Sequence, residues 1–154
     1  MTLNEVVAKD FLARLRRAFA AQGLEASDHC VILPILGKFD YWNLNLVADV
    51  FLDSLEWSGG VTTLQAIACG LPIVTLPGRY MRGGHSYGIL TRLGVTDTIA
   101  HDKDEYVEIA VRLGADREWR TDVLNRMTAN QARLYSDTKC VRALEDFFRS
   151  VVLA

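Results

Sequence analysis

Positive charge is not in excess in this 154-residue chain: 17 lysines and arginines stand against 19 aspartates and glutamates, a formal net charge of -2. A nucleic-acid binder needs a concentrated positive field, so that class loses its support. Arg14, Arg16 and Arg17 cluster, but on a helix they read as a solvated face. Cysteine is scarce too. Cys30, Cys69 and Cys140 are odd in number and spread apart, which excludes a disulfide framework and argues against a zinc site. Buried free thiols in a reducing cytoplasm are the expectation. No apolar run approaches the ~20 residues of a membrane span. The first residues, with Asn4, Glu5, Lys9 and Asp10, lack the charged-then-apolar layout of a signal peptide. Repeats, low-complexity tracts and linkers are absent. So are the Gly-x-Gly-x-x-Gly and Gly-x-x-x-x-Gly-Lys-Ser/Thr fingerprints, which removes support for dehydrogenases and P-loop enzymes.

Half of the residues are hydrophobic, enough at this length for one sizeable core, and a single domain over 1–154 is expected. From Val6, the residues Val7, Phe11, Leu15 and Phe19 recur at helical spacing, and Gly23 closes that segment. Cys30–Leu33 reads as a buried strand, followed by a short helix at Tyr41–Val47. Strands are expected at Asp49–Asp53, Ile73–Leu76 and Thr98–Ala100, with helices at Val61–Cys69 and His85–Leu93 between them. Helices at Asp104–Leu113, Arg117–Leu134 and Thr138–Val152 follow, the last forming a closing C-terminal helix over 137–152. This alternation predicts an α/β domain, a Rossmann-like parallel sheet flanked by helices. It opens on a helix where such sheets usually open on a strand, so the first strand is expected to be lacking.

The stretch from Trp57 to Gln65, read Trp-Ser-Gly-Gly-Val-Thr-Thr-Leu-Gln, lies between two of those strands. Gly59 and Gly60 let the backbone turn sharply and approach a ligand closely. A helix starting at Val61 would present free N–H groups and its positive dipole end, joined by the hydroxyls of Thr62 and Thr63. Gln65, one turn on, can reach the same mouth. Such a place suits a phosphate, and ligands of open α/β sheets lie beyond the carboxyl ends of strands. The plain alternative is a tight turn with Ser58 or Thr62 capping the helix. Asp102-Lys103-Asp104 has the look of a metal-binding Asp-x-Asp, but capping of the next helix is the favoured reading, and no metal site is assigned.

Leu46 through Leu113 resembles the O-GlcNAc transferase and Spindly-like family, including its bacterial members. The residues that carry this are Ala48–Asp53, Gly59–Gln65, Gly70-Leu71-Pro72-Ile73-Val74-Thr75-Leu76-Pro77-Gly78, Leu93-Gly94-Val95, Ile99-Ala100, Tyr106 and Ile109–Gly114. Weaker similarity runs from about Phe11 to Phe148. The resemblance implies a two-lobed GT-B glycosyltransferase, matched in its C-terminal, donor-binding lobe. It implies a UDP-sugar donor such as UDP-GlcNAc, or GDP-fucose, with no cofactor and no metal. Gly60, Val61 and Thr62 fall on the family's diphosphate-binding loop and Gln65 on an acidic residue that holds the ribose. Lys38 matches a lysine lining the nucleobase pocket beside the Leu36 backbone, and Tyr41 an aromatic or histidine near the base. Three positions depart from the pattern: Gln65 replaces a carboxylate, Val61 a polar residue, and Gly84 an arginine. The family's acceptor contacts, candidate general base and a phosphate-binding lysine lie outside this stretch. No catalytic residue is therefore assigned, and the isolated chain is expected to be inactive unless an N-terminal lobe joins it in trans.

Other residues stay open. His85 either faces the donor mouth or starts a helix bonded to backbone, the structural role being favoured. Trp57 walls the sugar pocket or, as favoured, packs on a surface between lobes. Cys69 is expected in the core, and Arg79 and Arg82 can approach phosphates, but they stand in a loop that nothing in the sequence anchors. The rival function is a non-enzymatic interaction module or remnant, self-associating through exposed apolar surface. A nucleotide-sugar epimerase is a third reading.

Overall fold

The computed structural model describes residues 5–135 and 137–152. The side chains of Val6 and Val7 fall outside the described ones. The chain divides into two compact units, Met1–Tyr41 and Trp42–Ala154.

The first unit begins with α1 (Glu5–Ala20), which closes where the Leu24 N–H donates to Phe19 O at 3.0 Å and Gly23 takes φ +72°. A single turn, α2 (Ala26–His29), follows, with the His29 imidazole stacked on Phe19 at 5.6 Å between centroids. The expected strand at Cys30–Leu33 does not form. The Cys30 N–H is drawn back to Ala26 O at 2.8 Å, and Val31, Ile32 and Leu33 are exposed, Val31 at 82%. An apolar run becomes a strand only when a neighbour pairs its backbone, and among the described residues none does so here.

Helix α3 (Lys38–Val47) leads into the second unit. There β1 (Phe51–Leu52) and β2 (Ile73–Val74) pair in parallel, Phe51 with Ile73 and Leu52 with Val74. Thr75 bridges in parallel to Ile99, so β2 lies between β1 and the segment 98–100. The strands are shorter than the apolar runs that announce them. The result is a helix-rich α/β unit around a small parallel sheet.

Helix α4 (Val61–Ala68) connects β1 to β2, and α5 (His85–Leu93) follows β2 after a 3₁₀ turn at Met81–Gly83. Helix α6 (Lys103–Ala115) is capped by Asp102, which accepts from the Glu105 N–H at 2.9 Å. Asp116 caps α7 (Arg117–Asn130) in the same way through the Trp119 N–H at 3.0 Å. The helix expected over Arg117–Leu134 is interrupted, with α8 (Ala132–Tyr135) separate from α7. At the break Gln131 turns its amide to Ile67 O, 2.9 Å away at the end of α4.

The core is made by Ala66 and Ile67 of α4, Ile73 and Val74 of β2, Leu90 and Leu93 of α5, Ile109 and Leu113 of α6, and Val123 and Met127 of α7. It holds the carboxyl ends of the strands and the start of α4 in place. The closing helix α9 (Lys139–Val152) buries none of its residues. Val141, Leu144, Phe148 and Val151 form an exposed stripe along it. No described helix is long and apolar enough to cross a membrane.

Candidate functional site

The loop between β1 and α4 is organised by a residue that ends the first strand. The Asp53 carboxylate is buried and accepts three hydrogen bonds: Ser58 Oγ at 2.7 Å and Thr75 Oγ1 at 2.7 Å on one oxygen, and the Gly59 N–H at 2.8 Å on the other. A carboxylate with three donors is well compensated for its loss of water. Ser58 Oγ accepts from the Ser86 N–H at 2.9 Å, tying the loop to the first turn of α5. Thr63 Oγ1 donates to Gly59 O at 2.6 Å and lies 2.8 Å from Ser86 Oγ. Each hydroxyl has one hydrogen. Ser58 and Thr75 spend theirs on Asp53 and Thr63 its own on Gly59, and the Ser86 hydroxyl has two acceptors in reach, Thr63 Oγ1 and, at 3.2 Å, Gly59 O. Every polar atom of this cluster is then matched. Tyr106 adds a tie from α6, its hydroxyl donating to Asp53 O at 2.9 Å. Burial, and then the Asp53 charge, push that hydroxyl's pKa up to about 12.

This bracing dictates the glycine. A Cβ on Gly59 would lie 2.6 Å from both Thr62 Oγ1 and Thr63 Oγ1, so a larger residue would have to displace both hydroxyls. Gly60 is the N-cap of α4 and offers no side-chain cap, and neither Ser58 nor Thr62 serves as one. The first backbone bond of the helix runs from the Leu64 N–H to Gly60 O. The N–H groups of Val61, Thr62 and Thr63 therefore stand ahead of the ladder at the positive end of the helix. Thr62 is exposed, whereas Thr63 is fully buried. The expectation that both threonine hydroxyls face a ligand is corrected: that of Thr63 is consumed inside the loop.

His85 is half-buried at the start of α5, and its Nδ1 lies 3.8 Å from where a Cβ of Gly60 would be. Gly59, Gly60, Val61, Thr62 and His85 are thus brought to one mouth. Gln65, one turn along α4, is half-buried beside an apolar cavity of about 370 Å³ that it lines with Trp42, Val61, Leu64, Cys69 and Tyr135. Tyr135 closes one side, its hydroxyl donating to Leu64 O at 2.9 Å, and burial raises its pKa. Cys69 is not a core residue as expected. It lies at the C-terminal end of α4, half-buried against this cavity, its Sγ 4.0 Å from Trp42 O. Trp57 is 71% exposed. Lys38 and Tyr41 belong to the first unit, on the opening turn of α3, where the Tyr41 N–H donates to Gly37 O at 2.9 Å. Among the described residues no group of His, Cys, Asp and Glu is arranged to hold a metal ion.

Sequence reasoning did not single out Asp53, Ser58, Thr75, Ser86 or Tyr106 as site residues. A signal for them exists: Thr75 is a polar residue inside the run Ile-Val-Thr-Leu, and Asp53 ends an apolar strand. Both are places where a polar side chain must find a partner.

A family model, described as glycosyl transferase family 41, matches residues 12–143. A probable UDP-N-acetylglucosamine--peptide N-acetylglucosaminyltransferase SPINDLY of Solanum lycopersicum is 27% identical over 131 residues, covering 84% of this chain and 14% of that protein. A UDP-N-acetylglucosamine--peptide N-acetylglucosaminyltransferase of Caenorhabditis elegans is 32% identical over 104 residues, 68% of this chain and 9% of that protein. Among solved structures, a K341M mutant of the Thermobaculum terrenum O-GlcNAc transferase superposes with a TM-score of 0.76 at 29% identity, covering 90% of this chain and 27% of that one. The chain thus spans about a seventh or less of these curated relatives and about a quarter of the solved one.

Proposed function

The chain belongs to glycosyl transferase family 41, and on that premise we propose that it is the donor-binding lobe of a metal-independent, GT-B-type glycosyltransferase. The donor is a nucleoside-diphosphate sugar of the UDP-GlcNAc kind, the nucleotide sugar in the names of its relatives. One observation carries this reading. The Asp53–Ser58–Ser86 bracing spends the inner polar groups of the loop on one another and leaves the N–H groups of Val61, Thr62 and Thr63 open at the start of α4. A diphosphate placed there meets aligned donors and a helix dipole without any reorganisation of the loop.

In this reading an acceptor hydroxyl forms a bond to the anomeric carbon while the bond from that carbon to the diphosphate oxygen breaks. The negative charge that develops on the leaving diphosphate is taken up by the α4 N–H groups and the Thr62 hydroxyl. Gly59 and Gly60 allow the close approach, His85 borders the mouth, and Gln65 presents a neutral amide to the ribose at the edge of the apolar cavity. Lys38 and Tyr41, in the other unit, are assigned to the nucleobase by the family resemblance alone. No residue of this chain is assigned the acceptor proton, so the chain alone binds donor with little or no turnover.

Calorimetry with UDP tests the assignment. Saturable binding, millimolar or tighter, that weakens about tenfold in Thr62→Val supports it, a tenfold change corresponding to roughly 1.4 kcal/mol. Absence of heat at high ligand concentration sinks it. The exposed stripe on α9 favours a second reading, a module that self-associates. In that case sedimentation finds an oligomer that Phe148→Asp converts to monomer.

A further inference from the structure

We propose that the turn from Arg79 to Arg82, between β2 and α5, is a docking surface for an extended acidic segment of a partner protein. The turn is rigid. It is closed by the Gly83 N–H on Tyr80 O at 2.9 Å, the Gly84 N–H on Met81 O at 3.0 Å and the Gly78 N–H on Gly83 O at 2.9 Å. Gly78 and Gly83 stand back to back, so that a Cβ on Gly83 would meet the Gly78 Cα at 3.0 Å. Its base is pinned to the braced loop, where the Ser58 N–H donates to Arg82 O at 2.8 Å. The sequence left this loop unanchored, because these ties are made by backbone atoms of glycines and of a residue more than twenty positions away.

On this fixed base Arg79, Tyr80, Met81 and Arg82 are all exposed, Met81 at 84%. The guanidinium carbons of Arg79 and Arg82 lie 5.8 Å and 4.8 Å from the Tyr80 ring centroid. Stacking on the same ring limits their rotamers and leaves their N–H edges available. Neither reaches a carboxylate among the described residues, a condition shared with Arg117 and Arg133, whereas Arg92, Arg112, Arg120 and Arg126 of the same unit each hold one. Two unneutralised guanidiniums therefore sit together on a protein whose net charge is negative.

Arginine, tyrosine and methionine are among the residues enriched at protein interfaces, and a preorganised platform loses little conformational entropy on binding. Arginine forks pair with carboxylates through two parallel hydrogen bonds. Two such forks on one short turn fit a chain with spaced aspartates or glutamates. They are too few for a nucleic-acid backbone, whose binding takes many phosphate contacts. This surface does not depend on the nucleotide reading of the neighbouring loop.

The test uses the full chain and fluorescence anisotropy with a labelled peptide of alternating glutamate and serine, against a glutamine and serine peptide of equal length. The glutamate peptide is expected to bind at least about tenfold tighter, and to be largely released at about 0.5 M salt. The R79Q/R82Q double variant is expected to lose at least about tenfold of that affinity while keeping its melting temperature and its UDP affinity. Equal binding of the two peptides overturns the proposal without recourse to any variant. Undiminished binding by R79Q/R82Q overturns it as well. A matching fall in UDP affinity in the double variant also overturns it, since the arginines would then serve the nucleotide. Failure of the unaltered chain to bind UDP bears on the donor-site reading alone.

Discussion

Thr62 and Thr63 are the same residue one position apart, and they lie on opposite sides of one loop. Thr63 is buried, its hydroxyl bonded to Gly59 O and close to Ser86. Thr62 is exposed at the mouth, beside N–H groups that stand ahead of the helix ladder. The inner side, with Asp53, Ser58, Thr63, Thr75 and Ser86, is a closed polar network in which every hydrogen is accounted for. The outer side, with Val61, Thr62 and Gln65, has donors to offer. The difference separates two kinds of polarity in a short sequence: one that fixes shape, and one that the fixed shape presents. A ligand site needs both, because open donors help a ligand only if they are already aimed.

The comparison can be broken from the inside first. Asp53→Ala removes the acceptor of three bonds and leaves two buried hydroxyls and an N–H unmatched. It is expected to cost about 3 kcal/mol or more, read as a lower denaturation midpoint, and to abolish UDP binding with it. Thr62→Val acts on the outside alone. Its denaturation midpoint is expected to stay within about 0.5 kcal/mol of the parent, while UDP affinity falls about tenfold. A Thr62→Val variant that lost stability along with binding would erase the distinction between the two sides.

Tyr106→Phe is a milder inner change, deleting one bond to a backbone oxygen for about 1 kcal/mol. It also has a pH signature. The folded-state pKa of Tyr106, about 12, lies above the ordinary value of 10. Its contribution is therefore fully present below pH 10 and lost as pH rises toward 12, a decline that Tyr106→Phe should flatten in alkaline unfolding curves.

The smallest effect is expected far from the loop. Asp97, held below the usual carboxylate range by Arg126 hydrogen bonds against some desolvation, forms a partly exposed ion pair. Its contribution is present above the ordinary carboxylate pKa and fades as pH falls through the lowered value. Asp97→Asn should cost at most about 1 kcal/mol at neutral pH, and leave UDP binding unchanged. If it cost as much as Asp53→Ala, burial would not be what sets the inner network apart.

How much of this was legible beforehand follows from the range over which each feature is decided. Helix α5 falls on His85–Leu93 as read, and Asp102 caps α6 as read, because periodicity and caps are local. The apolar run Ile73–Leu76 contains a strand and the run Cys30–Leu33 does not, although their compositions are alike. A strand is decided by its neighbour, and β2 has partners on both sides. The arrival of Gln131 at Ile67 O, which marks the end of α7, spans 64 positions and leaves no local trace. At the site, the glycines and Thr62 were legible from spacing. Asp53 was visible only as the end of a strand, because Thr75 and Ser86 reach the network from 22 and 28 positions beyond the residues they bond. The backbone closure of Arg79–Arg82 was invisible for the same reason.

Amide NMR of the full chain during a UDP titration tests the central claim most directly. The account predicts that the largest shifts fall on the N–H groups of Val61, Thr62 and Thr63, saturate together, and need about tenfold more UDP to reach half their size in Thr62→Val. Saturable shifts confined to residues away from the start of α4, or no shifts at all, would contradict it.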